Sequence, residues 1–144
     1  MDPAQALMEL EAIRVLKARY FRFVDTKQWT DFAALFEDDA TAEFPSDQPG
    51  LVLRGRDELA RQIAAMLEGV VSLHQGYMPE LQLASPTSAT GVWAMEDRLE
   101  WPPESPEGPR RLHGWGHYHE TYRKSAAGWR IASLVLTRLK VVTA

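Results

Sequence analysis

Residues 87–101 read TSATGVWAMEDRLEW, and apolar side chains recur there at every second position. Ala89, Gly91, Trp93, Met95, Leu99 and Trp101 fall on one side together with Asp97, while Ser88, Thr90, Glu96, Arg98 and Glu100 fall on the other. A period of two marks a half-buried strand. The same period extends outward in both directions, over 70–84 before this stretch and over 111–124 and 129–142 after it. Ser85-Pro86 and Ala127-Gly128 separate neighbouring runs as hairpin-type turns, and a proline-rich loop covers 102–109. Four consecutive hairpin-linked strands of this length predict a bent, antiparallel sheet.

Upstream of residue 70 the period is helical. Asp2 suits a helix N-cap, Pro3 suits the first helical position, and Gln5 is placed to complete a capping box. Leu10, Ile13, Leu16, Tyr20 and Val24 then recur at spacings of three or four, so one packed face reaches to about Asp25. A second, shorter helix is predicted after a Thr30 cap, carrying Phe32, Leu35 and Phe36. An extended stretch at 40–44, a loop with Pro45, Pro49 and Gly50, and a short extended segment at 51–53 follow. From Asp57 onward Leu59, Ile63, Met66 and Leu67 predict a third helix, with Gly69 as a left-handed C-terminal cap. The expected fold is α+β: three N-terminal helices packed on a curved, mostly antiparallel β-sheet whose concave side encloses an apolar cavity.

The 144 residues are 45% hydrophobic and 25% charged, the makeup of one globular domain, expected to span 1–144. Cysteine is absent, which removes thiol nucleophiles, thiolate zinc sites and disulfide frameworks together, and a reducing, cytoplasmic setting is expected. Sixteen Lys and Arg against 20 Asp and Glu give a net charge of −4 with no basic run, so nucleic acid is not an expected partner. No apolar stretch approaches the ~20 residues of a membrane-spanning helix, and residues 1–11 lack the layout of an export signal.

Among candidate chemical groups, Asp97 is the most informative, because it interrupts an otherwise apolar face. An acid there needs a partner or a task, and either a buried arginine or a role in a site answers that need. His74, in the preceding strand, shares a face with Ser72, Gly76 and Met78. An imidazole titrating near ~6.5 serves as a base at neutral pH when a carboxylate such as Asp25 or Asp97 orients it; a half-buried histidine bonded to a carbonyl is the alternative. His113, His117 and His119 do not supply three converging ligands, so no metal is expected. Tyr118 lies opposite His117 and His119, with Gly116 small enough to leave its hydroxyl room. Arg138 follows Ala132, Leu134 and Leu136 on one face of the last strand and is placed to meet a buried carboxylate or a substrate oxygen. Trp93, Met95 and Trp115 are expected to shape the cavity. No glycine-rich phosphate loop and no serine nucleophile elbow occurs.

The segments ARYFRFVDTKQW (18–29), VVSLHQGYMPE (70–80) and GHYHETYRKSAAGWRIASLVLTRLK (116–140), in this order of helices and strands, resemble the SnoaL-like branch of the NTF2-like superfamily over nearly the whole chain. That resemblance implies the α+β cone, and its enzyme members include dehydratases, a dehydrochlorinase and polyketide cyclases. By residue type and position, His74 matches the proton-abstracting base of those enzymes, Asp25 its helix-borne partner and Tyr20 a pocket tyrosine one turn earlier. Asp97 and Arg138 match a further carboxylate and arginine of the bile acid dehydratase type, and Tyr118 a polar pocket position. Two positions depart from the scytalone dehydratase pattern: Val24 stands in place of a tyrosine and Asp97 in place of a second pocket histidine, so scytalone is not the expected substrate.

The resemblance therefore implies a cofactor-independent lyase or isomerase acting on a small hydrophobic cyclic substrate. His74, Asp25, Tyr20 and Asp97 are its expected catalytic residues, with Arg138, Tyr118, Trp93 and Met95 as substrate-binding residues. No cofactor and no metal are expected, and a homodimer or homotrimer is. The alternative from the same superfamily is a non-catalytic binding or assembly module, such as the small subunit of a ring-hydroxylating dioxygenase.

Overall fold

The computed structural model describes residues 1–105 and 107–144; residue 106, within the loop predicted at 102–109, lies outside the described residues. The chain forms helix α1 (Pro3–Asp25), helix α2 (Trp29–Ala33), strand β1 (Phe36–Glu43), strand β2 (Val52–Arg54), helix α3 (Arg56–Met66) and four long strands. These are β3 (Val71–Ser85), β4 (Ser88–Glu100), β5 (Arg111–Ser125) and β6 (Gly128–Thr143).

Local chemistry accounts for the start of α1: Asp2 accepts from the Gln5 backbone N–H at 2.9 Å, and Pro3 sits where no N–H is required. The predicted capping box is only half made, because the Gln5 amide bonds forward to Glu9 at 2.9 Å. Ile13, Leu16, Tyr20 and Val24 form the buried stripe of the helix, and each apolar side chain of this kind contributes roughly 1.5–3 kcal/mol on burial. Asp25 ends the helix, and Lys27, at φ 58°, turns the chain away.

The second helix departs from the prediction. It starts at Trp29 with Gln28, not Thr30, in the cap position, and it stops at Ala33. Leu35 and Phe36 leave it, and Phe36 opens β1 four residues before the expected position 40. The cause lies across the molecule: β1 runs parallel to β6, pairing Phe36 with Ile131, whose N–H donates to the Leu35 carbonyl at 2.8 Å. Long-range pairing overrides the local helical pattern here. Helix α3 begins at Arg56, with Asp57 and Glu58 in its first turn where the helix dipole favours them.

The six strands lie in the order β2-β1-β6-β5-β4-β3, antiparallel except for β1 and β6. The core contains Ile13, Phe32, Phe36, Leu59, Ile131 and Leu134, contributed by helices and sheet alike. One strand breaks its own period. Strand β3 carries a bulge between Tyr77 and Glu80, where Met78 takes φ 28° and is 91% exposed. Met78 therefore does not share the face of His74, contrary to strict alternation, and partly buried positions resume at Pro79, Leu81 and Leu83. Among the described residues no helix is long and apolar enough to cross a membrane.

Candidate active site

Sheet register brings three of the candidate residues into line. His74 on β3 stands opposite Asp97 on β4, and Asp97 stands opposite Gly114 on β5. The glycine is a spatial necessity: a Cβ there would lie 2.3 Å from Arg138 Nη1 and 2.6 Å from Asp97 Oδ1. Arg138, from β6, crosses this gap and grips Asp97 with two parallel bonds, Nη1 to Oδ1 at 2.6 Å and Nη2 to Oδ2 at 2.9 Å. Burial alone would lower the arginine's pKa, but hydrogen bonding and charge from Asp97, with Asp47 adding, hold it above its ordinary value. The acid on the apolar face thus has the arginine that its burial demands.

Asp25 reaches the site from the C-terminal end of α1. Its Oδ1 lies 2.7 Å from His74 Nδ1 and accepts from Ser72 Oγ at 2.9 Å, while Oδ2 accepts the His74 backbone N–H at 2.8 Å. An ionised carboxylate only accepts, so the neutral imidazole carries its proton on Nδ1. That leaves the Nε2 lone pair free, 4.0 Å from Asp97 Oδ2.

His74, Asp97 and Arg138 line a cavity of about 380 Å³ together with Tyr20 and Tyr118, at the lower end of the ~300–1,000 Å³ usual for small-molecule pockets. Its remaining wall is largely apolar, from Val24, Ile63, Leu67, Leu99, Trp101 and Leu136. Burial, reinforced by the charge of Glu120 among others, raises the pKa of Tyr20 and of Tyr118 above the ordinary 10. Both phenols keep their protons and remain donors at neutral pH.

Trp93 and Met95, expected to bind substrate, do not line this cavity. Trp93 instead donates Nε1–H to Tyr122 at 2.9 Å, and the Met95 sulfur lies 3.9 Å from Arg138 Nη1. Trp115 does not line it either, and stacks on His113 with ring centroids 3.9 Å apart. Gly116 answers a different constraint from the one predicted, since a Cβ there would lie 1.9 Å from the Thr137 carbonyl oxygen. His113 pairs with Glu96 at 2.7 Å, and His119 Nε2 lies 3.1 Å from Thr137 Oγ1.

Two features escaped the sequence reading. Lys17 and Glu120 form a fully buried ion pair at 2.6 Å, with the ammonium 3.5 Å from the ring centre of Tyr20 and 3.6 Å from that of Tyr118. Burial brings the Lys17 pKa down to about 8, against the opposing pull of Glu120. Asp47, Gln48 and Phe44, around the β1–β2 loop, supply a further side of the cavity, and Asp47 meets Arg138 at 3.3 Å. Lys17 was discoverable from its place on the stripe of Ile13 and Tyr20. The loop carried no such signal.

The sequence pattern of the family described as SnoaL-like domain matches residues 5–135. The chain belongs to the SnoaL-like family. Among curated proteins it is 27% identical over 131 residues to "Probable cyclase FGR4" of Gibberella zeae, covering 85% of this chain and 86% of that one. Among solved structures, the Kfla4162 protein of Kribbella flavida superposes with a TM-score of 0.87 at 23% identity, covering 95% of each chain. Hexachlorocyclohexane dehydrochlorinase LinA-type3 of Novosphingobium barchaimii superposes at 0.83 with 17% identity, covering 99% of this chain and 94% of that one. At these identities the two superpositions establish the fold, the NTF2-like cone that SnoaL-like chains share.

Proposed function

We propose that this SnoaL-like chain is a cofactor-independent lyase or isomerase that removes a carbon-bound proton from a small hydrophobic cyclic substrate. The observation that carries the reading is the 2.7 Å contact between Asp25 and His74 Nδ1, which leaves Nε2 as an oriented base at an apolar cavity. Names of relatives support the reaction class: one is described as a cyclase, another as a dehydrochlorinase.

In the proposed step a substrate C–H points at His74 Nε2, which takes the proton while Asp25 stabilises the imidazolium. The electron pair of that bond delocalises into an activating carbonyl, where Tyr20 or Tyr118 donates a hydrogen bond to the developing oxyanion. In an elimination the pair then forms the new double bond as the β-substituent departs. For a hydroxyl leaving group, the imidazolium returns its proton, water leaves, and the base is regenerated. Asp97, clamped by Arg138, faces the imidazolium from the other side. A homo-oligomer remains part of the proposal, supported by exposed Leu73 and Leu139 on the sheet.

The test is a screen of cyclic β-hydroxy ketones and halogenated rings in D₂O, following solvent deuterium at carbon and product by mass spectrometry, with wild type and His74→Ala. Turnover falling by about 10²–10⁴-fold in the variant, with the melting temperature little changed, is the expected result. Ligands that bind both proteins equally, with no exchange and no product, would replace the catalytic reading with a binding module.

A further inference from the structure

Each of the three guanidinium nitrogens of Arg138 already has a partner within the protein. A guanidinium carries five N–H groups. Here Nη1 meets Asp97 at 2.6 Å and the Met95 sulfur at 3.9 Å, Nη2 meets Asp97 at 2.9 Å and Asp47 at 3.3 Å, and Nε meets Asp47 at 3.3 Å. The charge balance points the same way. Asp97, Asp47 and the His74-bound Asp25 set three carboxylates against one guanidinium, so the site is net negative even when His74 is protonated.

Asp47 is not a stray surface acid. The turn that carries it is closed by its own N–H bonding the Phe44 carbonyl at 3.0 Å and by the Gln48 N–H bonding the same oxygen at 2.7 Å. The Gln48 side chain reaches the Met66 sulfur at 3.6 Å on α3. The Asp47 carboxylate therefore stands at the cavity rim as an intramolecular partner of Arg138, with its side chain 37% exposed.

We infer that Asp47 sets the charge class of ligand the cavity accepts: by completing the coordination of Arg138 it excludes ligands bearing an anionic group and leaves the site to uncharged ones. The inference rests on the cavity being the substrate site proposed above. A free carboxylate would have to displace a tethered one that is already in place, and it would enter a site still holding Asp97 and Asp25. Like charges brought together in this way cost several-fold to many-fold in affinity, whereas a ketone or alcohol of the same shape meets no such opposition.

The test compares 2-acetylnaphthalene with 2-naphthoate, nearly identical in shape and different in charge, by equilibrium dialysis at pH 7.5 against wild type, Asp47→Ala and Asp47→Asn. Wild type is expected to favour the ketone by about tenfold or more. Asp47→Ala, which frees the Nε donor and removes the carboxylate beside Nη2, is expected to raise naphthoate affinity by about tenfold while ketone affinity stays within about twofold. Asp47→Asn, which removes the charge but keeps an acceptor for Arg138, falls between. Wild type binding naphthoate as tightly as the ketone, an unchanged ratio in Asp47→Ala, or no saturable binding of either compound would each overturn the inference. A preserved ratio in a protein that shows no proton abstraction would instead leave this inference standing and remove the catalytic one.

Discussion

Replacing Lys17 with methionine keeps the length and bulk of the side chain and removes its charge. Glu120, fully buried and 2.6 Å from the ammonium in the wild type, is then left with the Tyr122 hydroxyl at 2.6 Å as its remaining donor. Removing one member of a buried pair typically costs about 3–5 kcal/mol, because the other charge stays desolvated and uncompensated. Two contacts with ring faces, at 3.5 and 3.6 Å, are lost as well, worth roughly 0.5–2 kcal/mol each. Sulfur–aromatic contacts return roughly 0.3–1.5 kcal/mol, and the desolvation of Lys17 itself disappears. The net expectation is a loss of about 3 kcal/mol at pH 7, which for a chain of this length lowers Tm by about 6–12 °C. Urea unfolding followed by circular dichroism and tryptophan fluorescence measures it. Lys17→Met with Glu120→Gln keeps an acceptor for Tyr122 and removes both charges, so the double variant is expected to recover much of the loss. A single variant that loses under about 1 kcal/mol, or a double variant less stable than the single, would refute the reasoning, since either would show that the two charges are not coupled in a dry interior.

Three further outcomes follow from the geometry. Gly114→Ala drives a methyl into the space between Asp97 and Arg138 and is expected to cost about 3 kcal/mol in thermal or urea unfolding, as much as breaking the pair by deletion. In Asp25→Asn the amide oxygen keeps the His74 backbone N–H, which turns the NH₂ toward Nδ1 and forces the ring proton onto Nε2; kcat is expected to fall by about 10²–10⁴-fold with KM little changed. Glu9 is held down to about 2, from an ordinary 4.5, by hydrogen bonds from Lys124 and Trp129, so the unfolded chain takes up its proton first as pH falls. The stability this confers is present above pH 4.5 and is lost between 4.5 and 2, and acid titration of unfolding should show a shallower decline over that window in Glu9→Gln.

The long strands were legible because alternation is a local property: residues 87–101 state which side faces in, and β4 spans Ser88–Glu100. Helix α1 was legible for the same reason. The boundary between α2 and β1 was not, since Phe36 is placed by Ile131, 95 positions along the chain, and no local pattern carries that information. The bulge at Met78 likewise reverses an alternation that the sequence continues without interruption. Lys17 and Glu120 stood in plain view on apolar stripes, at helical spacing from Ile13 and Tyr20 and at strand spacing from Tyr118 and Tyr122.

What the sequence determined by itself is the inventory: a helix ending in an aspartate, an inward histidine, an inward aspartate on the next strand and an arginine on the last, without cysteine. Tertiary structure decided what those groups do to one another. Asp25 and His74 are 49 residues apart, Asp97 and Arg138 are 41, and Asp47 and Arg138 are 91. Hydrogen bonds tolerate only a few tenths of an ångström, and whether an arginine is free to hold a ligand depends on which carboxylates reach it first. Spacing along a chain records neither quantity, because both are distances through space that the packing of α1 and the β1–β2 loop against the sheet defines.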